Sequence, residues 1–336
     1  MKQSLIKRII NGKSTLLIIL ILLVLVLTYL RAPNALTKGN AQQVLSNLCF
    51  YGIFGVGVAM LLMGGGFDFA TSAHSTMSTL VFLKVLQWIP GIPWFVAAVI
   101  AIIAGALFGG VNAFLAQGLK LLPFIATIGM SSVWGGFARW ATRGNYVAIN
   151  DPGFSAVTAK CIGNTPIPWL FVFVIAVVVA YSIVLKWTRF GRSVLVVGGN
   201  PAAARLAGLN PGRIKSILYI NNGILAAVGG LIWSSQQKMY NPTGLTTLAP
   251  EMTSLTAAML GGVSFMGGSG SLGSAFVGIT LISTLSYALQ TMMLPLWFVT
   301  LINGLLLVIA LTIDSFASKK IRKSMATTGM VMPGMR

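Results

Sequence analysis

Residues 166–186 read PIPWLFVFVIAVVVAYSIVLK, and residues 187–215 continue as WTRFGRSVLVVGGNPAAARLAGLNPGRIK. The first segment is almost entirely apolar and is long enough to cross a bilayer as a helix, which takes about 20 residues. The second segment is polar and carries five basic residues but no acidic one. This change from a membrane-like span to a basic loop recurs along the chain and decides the fold class.

The composition points to a polytopic α-helical membrane protein. Of the 336 residues, 56% are hydrophobic and only 8% are charged, whereas a soluble protein has about 25% charged residues. The apolar runs are long and continuous, while a transmembrane β-barrel would show short alternating segments. We therefore predict an all-α membrane protein with about ten transmembrane helices, some of them short or broken.

Ten approximate spans can be drawn, and two of them are weak. They cover residues 14–30, 45–63, 70–88, 95–118, 123–141, 166–186, 215–234, 250–263, 272–291 and 296–314. The third and eighth spans are short or polar, so we expect them to be broken or re-entrant. Such segments are tolerated at membrane depth where the backbone lines protein or a water-filled cavity.

The basic residues predict the orientation. With the N-terminus inside, 16 of the 23 Lys and Arg residues lie on the inner side and 7 on the outer side. Because cytoplasmic loops are enriched in these residues, we expect a cytoplasmic N-terminus at 1–13, a transmembrane domain at 14–314 and a basic cytoplasmic tail at 315–336. The loop at 187–215 then faces the cytoplasm, and the net charge of +19 needs no nucleic-acid partner.

The basic loop contains the signals of a complete short helix. Asn200 is a good N-cap, Pro201 fits the first helical position, and Ala202–Ala207 is a strong helix-forming run. Gly208 suits the left-handed residue that ends a helix. A chain that spends most of its length in lipid has little reason to build a capped surface helix unless another protein docks on it.

Ionisable side chains are scarce and isolated. Asp68 and Glu251 each lie near a weak span, where an ionisable group is costly and usually functional; the alternative is that each caps a helix N-terminus. His74, the only histidine, has either a pore-lining or an incidental buried role. We interpret Asp151-Pro152-Gly153 as a turn and Asp314 as a solvated residue at the end of the last span.

Several signals are absent or misleading. Asn11-Gly12-Lys13-Ser14 lacks the first glycine of a phosphate-binding loop, so the chain has no recognisable motif for ATP. The two cysteines lie far apart with no metal-ligand spacing around them. We interpret Leu16–Leu30 as a membrane span rather than a cleaved signal peptide, because Arg31-Ala32-Pro33 is a poor cleavage context.

Glycines are concentrated at residues 64–66 and 261–270. Small residues allow helices to approach closely and permit breaks within a span. Paired breaks in the two halves of a transporter often mark the substrate path. We therefore predict hinges or breaks at Gly65, Gly66, Gly262, Gly267 and Gly268, with close helix packing as the alternative.

Motifs in a fixed order carry a family resemblance over residues 45–315. They are Gly65-Gly66-Phe67-Asp68-Phe69, Val111-Asn112, Leu122–Met130, Thr188–Arg192, Gly198–Asn200 with Ala203–Gly208, and Glu251 with Gly261-Gly262, Ser264 and Gly267-Gly268. In this order and spacing they resemble the permease subunits of bacterial ABC importers for ribose, xylose, galactose and related sugars. The chain is most similar to permeases of galactofuranose importers.

The resemblance implies a translocation subunit of the inner membrane that is not an enzyme. The implied partners are a separate ATP-binding subunit that holds ATP and Mg²⁺, a periplasmic sugar-binding protein, and a second permease in a heterodimer or a homodimer. The implied substrate path contains Asp68, His74, Asn112, Phe124, Thr127 and Glu251. The residues implied in ATPase coupling are Gly191, Arg192, Gly199, Asn200, Ala203, Arg205 and Gly208. No cofactor is expected on this chain.

Departures from the family pattern cluster at the glycine-rich breaks. Ser72-Ala73 replaces Gly-Ser, Thr253 replaces Asp, and Ser269 replaces Arg; these changes fit a less typical sugar or a heteromeric pair. Two other function classes stay open from the residues alone. One is an ion-coupled secondary transporter with Asp68, His74 and Glu251 as the ion relay, and the other is a membrane-embedded enzyme, for which no dense cluster of acids, histidines or cysteines is present.

Overall fold

The computed structural model describes residues 13–31, 37–295, 297–299, 301–302 and 304–312. The predicted cytoplasmic N-terminus at 1–13, apart from its last residue, and the predicted basic tail at 315–336 lie outside the described residues.

The described chain is built almost entirely of helices. They are α1 Lys13–Arg31, α2 Lys38–Met63, α3 Thr71–Trp88, α4 Trp94–Ala113, α5 Pro123–Thr142, α6 Pro152–Ala159, α7 Trp169–Trp187, α8 Arg189–Gly199, α9 Pro201–Leu206, α10 Pro211–Gln237, α11 Gly244–Leu248, α12 Pro250–Leu260 and α13 Leu272–Thr291. A π-helical turn, Phe114–Gly118, extends α4, and further helical residues lie within 297–312. Helix dominates because apolar segments at membrane depth must satisfy their own backbone hydrogen bonds.

Five of the described helices are long and apolar enough to cross a membrane. These are α2, α4 with its π-helical turn, α7, α10 and α13. The predicted eighth span at 250–263 is not a full crossing by itself, because α12 has only 11 residues. At 1.5 Å per residue such a helix is about 17 Å long, against about 30 Å of bilayer core.

The helix ends gather at two opposite faces of the bundle. At one face, which we call the hairpin end, β1 (Val147–Ala148) pairs antiparallel with β2 (Met239–Tyr240). At the other face, which we call the junction end, the Gly268 amide donates to the Met63 carbonyl at 2.8 Å. Helices α8 and α9 also lie at the junction end.

Helix α10 is the central element of the packing. It contacts α2, α3 and α4, and two thirds of its most apolar window is buried inside the protein. Glycines allow its close approach to α4: a Cβ at Gly109 would collide with the Tyr219 carbonyl oxygen, and one at Gly223 would collide with the Gly105 carbonyl oxygen. Side chains at these positions would force the two helices apart.

The hairpin end corrects one prediction. Asp151-Pro152-Gly153 is not an isolated turn but the start of α6, with Asp151 as the N-cap. The Asp151 carboxylate accepts a hydrogen bond from the Phe154 amide at 2.9 Å. The same residue types serve turns and helix N-termini, and the buried Phe154 ring, packed against Phe82, fixes the helical outcome.

The basic loop at 187–215 contains more helix than the sequence indicated. The short helix is present as α9, with Asn200 accepting from the amides of Ala202 and Ala203 and with Gly208 at φ 78°. An additional helix, α8, precedes it without having been predicted. The following span also starts earlier than residue 215, because Asn210 caps α10 by accepting from the Arg213 amide at 3.0 Å.

Candidate functional site

The candidate site forms where the chain leaves helical geometry between α2 and α3. Gly65 has a φ of 68°, a left-handed conformation that glycine adopts without strain. The Gly66 amide donates to the Leu61 carbonyl at 2.9 Å and closes the turn. The residues from 64 to 70, which we call the first break, therefore present carbonyl groups that need hydrogen-bond donors from other elements.

Asp68 is the centre of a buried polar cluster in the first break. It is 8% exposed. Its Oδ1 accepts from the Ala70 amide and from Asn112 Nδ2, both at 2.9 Å, and its Oδ2 accepts from Asn222 Nδ2 at 3.1 Å. These neutral donors offset much of the cost of burying a carboxylate. Among the described residues, no lysine or arginine forms an ion pair with it.

His74 lies in the first turn of α3, beside the same carboxylate. Its Nδ1 is 3.6 Å from Asp68 Oδ2, which is too long for a hydrogen bond. The residue is fully buried, and neither ring nitrogen has a hydrogen-bond partner within the described part of the chain. The ring lies nearly parallel to Phe108, with centroids 6.4 Å apart.

Glu251 approaches the cluster from the C-terminal part of the chain. It lies in the first turn of α12 and is 7% exposed. Its Oε1 accepts a hydrogen bond from Ser72 Oγ at 3.0 Å, whereas its Oε2 has no partner in the described residues. Asp68 and Glu251 both line a small pocket, with Phe67 and Phe69 among its apolar walls.

Helix α5 closes the first break from another side. The Phe69 amide donates to Thr127 Oγ1 at 3.2 Å. The Phe124 ring meets the Phe69 ring edge-on, with centroids 5.2 Å apart. Thr127 is fully buried, while Phe124 is 57% exposed on the surface of this single chain. The structure thus gathers all six residues predicted for the path around one break; their role in transport stays a prediction.

A second break separates α12 from α13. Gly262, Gly267 and Gly268 have φ values of 92°, 80° and 76°, and Ser271 caps α13 by accepting from the Ser274 amide. Left-handed backbone at three glycines reverses the chain within about ten residues. The glycine-rich segment at 261–270 is therefore a tight connection between two helices.

Three glycine segments meet at the junction end. A Cβ at Gly198 would overlap the Met63 carbonyl oxygen and lie 2.7 Å from the Gly268 nitrogen; one at Gly267 would lie 3.0 Å from the Gly65 Cα. We call this contact of residues 63–66, 198–199 and 267–268 the glycine junction. It joins both breaks directly to the end of α8, one residue before the cap of α9.

The other predicted coupling residues lie around α8. Thr188 caps this helix by accepting from the Gly191 amide at 3.1 Å. A Cβ at Gly191 would collide with the carbonyl oxygens of Val184 and Leu185, so glycine allows α8 to fold back against α7. Arg192 is exposed and donates to the Trp187 carbonyl at 3.3 Å. Gly191 and Arg192 therefore secure the connection between the last turn of α7 and α8.

Helix α9 presents an exposed surface at the junction end. Ala204 is fully buried and anchors the helix, while Ala203 and Arg205 are exposed. Leu206 is 92% exposed, although the sequence analysis did not select it. Helix α9 thus places an arginine and a leucine side by side on an exposed surface.

Three residues of α10 contact the first break and were missed by the sequence analysis. Lys215, Tyr219 and Asn222 each donate a hydrogen bond to it. A signal for one of them was available, because Asn221-Asn222 is a polar pair inside an apolar span, and such residues usually have partners. The other two look like ordinary boundary and aromatic residues.

The described residues contain no group of three or more His, Cys, Asp or Glu side chains that could hold a metal ion. Cys49 and Cys161 are free thiols. The polar cluster of two carboxylates and one imidazole instead offers hydrogen-bond acceptors next to aromatic rings. That combination can bind the hydroxyl groups and the C–H faces of a small polyhydroxylated molecule.

A family model described as a permease component of the branched-chain amino acid transport system matches residues 40–311. The matched segment contains the polar cluster, both breaks and α9. No solved structure matches the chain.

Several relatives are similar over nearly their whole length. The L-arabinose transport system permease protein of Escherichia coli (strain K12) is 28% identical over 295 residues, which cover 85% of this chain and 86% of the relative. The galactose/methyl galactoside import permease protein of Haemophilus influenzae is 27% identical over 322 residues, covering 90% and 94%. The ribose import permease protein of Bacillus subtilis (strain 168) is 27% identical over 297 residues, covering 88% and 90%.

Proposed function

We propose that this chain, which belongs to the family of branched-chain amino acid transport system permease components, is the membrane-spanning permease subunit of an ATP-driven sugar importer. It passes a monosaccharide from a periplasmic binding protein through the bacterial inner membrane to the cytoplasm. ATP and Mg²⁺ bind to a separate ATPase subunit. The permease relatives for L-arabinose, galactose and ribose support sugar as the substrate class.

The observation that carries this proposal is the connection between an exposed docking helix and a buried polar cluster. Helix α9 offers Leu206 and Arg205 to a partner, and the end of the preceding helix touches both breaks at the glycine junction. The docking helix α9 and the polar cluster are thus connected at the junction end of the bundle. The excess of basic residues at this end supports its cytoplasmic location.

The polar cluster supports a path for a neutral, hydroxyl-rich substrate. Carboxylate oxygens of Asp68 and Glu251 accept hydrogen bonds from hydroxyl groups, and Phe67 and Phe69 offer apolar faces to sugar C–H groups. Phe124 is exposed beside the break in the single chain, as expected if a second permease completes the path. We propose a heterodimer, and a homodimer is the alternative.

The decisive experiment is isolation from the native membrane followed by reconstitution. Tagged chain should co-purify with an ATPase subunit and a second permease, and the complex should take up sugar into proteoliposomes only with ATP and the binding protein. Recovery of the chain alone, together with uptake independent of ATP, would reject the proposal. The identity or difference of the two permeases follows from the same preparation.

We propose galactofuranose as the transported sugar, based on the likeness of the motifs to permeases of galactofuranose importers. Competition of galactofuranose, galactopyranose, ribose and L-arabinose for uptake by the reconstituted complex tests this. Preferred uptake of galactofuranose supports the assignment. Preference for one of the other three sugars would change the assigned substrate but not the proposed permease function.

A second candidate function is ion-coupled secondary transport. The specific observation behind it is the 3.6 Å approach of His74 to Asp68, together with the unpartnered Glu251 Oε2. In that case a proton or sodium ion would move through the cluster with the substrate. Uptake that collapses with an uncoupler at constant ATP favours this candidate, and uptake that follows ATP hydrolysis without a gradient excludes it.

A further inference from the structure

One face of α10 holds the first break through a row of three hydrogen bonds. Lys215, Tyr219 and Asn222 follow one another at intervals of four and three residues, which places them on the same side of a helix. The pairs are Lys215 Nζ to the Gly65 carbonyl at 2.9 Å, Tyr219 Oη to the Phe67 carbonyl at 2.8 Å, and Asn222 Nδ2 to Asp68 Oδ2 at 3.1 Å. We call these three contacts the α10 ladder.

The ladder is well buried, and its three donors contact successive residues of the first break. Tyr219 is fully buried, Asn222 is 1% exposed, and Lys215 is half-buried. Asn222 Nδ2 also donates to Thr71 Oγ1 at 2.8 Å, at the start of α3. Hydrogen bonds shielded from water constrain position strongly, so the first break follows any displacement of this face of α10.

Helix α10 is in turn tied to the docking helix α9. Only residues 207–210 separate them, and the Leu209 amide donates to the Ala204 carbonyl at 3.0 Å, which folds this connection back onto α9. Asn210 then caps α10. The short capped connection transmits displacement of α9 to the N-terminal turns of α10, where the ladder begins.

A second connection reaches the same break from the other side of α9. The preceding helix, α8, ends at Gly198 and Gly199 in the glycine junction, where the Gly198 backbone packs against Gly65. Helix α9 is thus flanked by two elements that both hold the first break. The glycine junction is a close packing of backbone segments. The ladder, by contrast, consists of directional hydrogen bonds that a substitution can remove individually.

We propose that Lys215, Tyr219 and Asn222 are positioning residues that couple movement of the docking helix to the break that carries Asp68. This inference rests on the proposed function as an ATP-driven importer. Of the three side chains, only Asn222 donates a hydrogen bond to Asp68 within the described part of the chain. Their loss should therefore disconnect ATP hydrolysis from sugar movement while the complex still assembles.

The test uses the reconstituted complex with its ATPase, second permease and binding protein. The double variant Lys215→Met/Tyr219→Phe removes two donors to backbone carbonyls and leaves the hydrogen bonds of Asp68 intact. We expect subunit recovery and basal ATP hydrolysis within about twofold of wild type. Sugar transported per ATP hydrolysed should fall by about tenfold or more, whereas the single variant Lys215→Arg, which keeps a donor, should retain most of the wild-type ratio.

A matched control lies on the same helix. Asn221 of α10 accepts a hydrogen bond from Tyr181 of α7, away from the break. Tyr181→Phe therefore removes one partly buried hydrogen bond of a tyrosine hydroxyl between α7 and α10 and leaves the ladder intact. We expect Tyr181→Phe to keep the wild-type ratio of sugar to ATP and Tyr219→Phe alone to lower it several-fold.

The results distinguish failure of the proposed function from failure of the α10 ladder. A wild-type complex without ATP-driven uptake rejects the proposed function, whatever the variants do. A wild-type complex that transports, with a double variant of unchanged sugar-to-ATP ratio, overturns the ladder and leaves the proposed function intact. If the double variant is not recovered from the membrane, equal ratios for Tyr219→Phe and Tyr181→Phe overturn the ladder in the same way.

Discussion

Asp68 is tolerated in an apolar bundle because its two oxygens are matched to donors. Asn112 comes from α4, Asn222 comes from α10, and the Ala70 amide comes from the break itself. Oδ1 has two of these donors, whereas loss of Asn222 would leave Oδ2 without a hydrogen bond, at a cost of about 1–3 kcal/mol. The sequence identified the carboxylate by its place near a weak span and Asn112 through the family resemblance, and the polar pair Asn221-Asn222 did not indicate which residue Asn222 contacts.

Gly198 and Gly199 provide a test of the glycine junction. We expect Gly198→Ala to lower the thermal unfolding midpoint in detergent and to abolish uptake, because the new methyl group would overlap the Met63 carbonyl; overpacking typically costs about 1–3 kcal/mol. Gly199→Ala is the control, because its Cβ would lie 3.6 Å from the Gly268 Cα, an ordinary contact. Equal stability of the two variants would contradict the junction.

Leu206 tests the docking surface. Leu206→Asp places a charge on a side chain that is 92% exposed, so the fold of the chain should not change while a partner interface would lose its apolar contact. We expect loss of the ATPase subunit on co-purification, with normal insertion into the membrane. Met293→Asp is the control, since Met293 is equally exposed and lies just after the C-terminal end of α13. Retention of the ATPase by Leu206→Asp would exclude α9 as its docking site.

Among the helices, α10 has the most connections, and glycine makes them possible. Its contact with α4 depends on Gly105, Gly109 and Gly223, whose missing side chains let the two backbones touch. Helix α12, by contrast, is too short to cross by itself and carries Glu251 into the bundle from its first turn. The polar cluster thus combines Asp68 from the first break, His74 from α3 and Glu251 from the first turn of the short helix α12.

The packing of α4 against α10 makes a prediction at adjacent positions. Gly109→Ala should lower the thermal unfolding midpoint in detergent, because its Cβ would collide with the Tyr219 carbonyl and push α10 away. Gly110→Ala should be nearly neutral, because its nearest neighbour would be the Ile220 side chain at 3.9 Å. A reversed order of stabilities would contradict this helix pairing.

The whole molecule has two chemically different ends, and its native cysteines can report which end faces out. Cys161 lies near the hairpin end and is partly exposed, whereas Cys49 is fully buried. If the hairpin end faces the periplasm, a membrane-impermeant maleimide should label Cys161 in intact spheroplasts. An Arg205→Cys variant should gain a second label only after permeabilisation. Labelling of position 205 in sealed spheroplasts would reverse the predicted orientation.

The permease membership expected from the ordered motifs is confirmed, because a model of transport-system permease components matches residues 40–311; transport of a sugar stays a proposal. The helical membrane class is also confirmed. The count of ten spans and the orientation stay predictions. The eighth span shows why hydropathy alone does not give the number of crossings. Hydropathy measures the apolar content of a segment and not whether the segment continues as one helix across the bilayer.

The sequence by itself determined the helical class of the apolar segments and the ends of the short helix α9, but not the helices α6 and α8. Hydropathy, the N-cap at Asn200 and the left-handed Gly208 are local features, and their effects depend on neighbours a few residues away. Only the tertiary structure decided that Gly65, Gly198 and Gly268 meet, and that Lys215, Tyr219 and Asn222 face the first break. A glycine permits close approach without choosing its partner, and which distant residues meet depends on how whole helices pack in register.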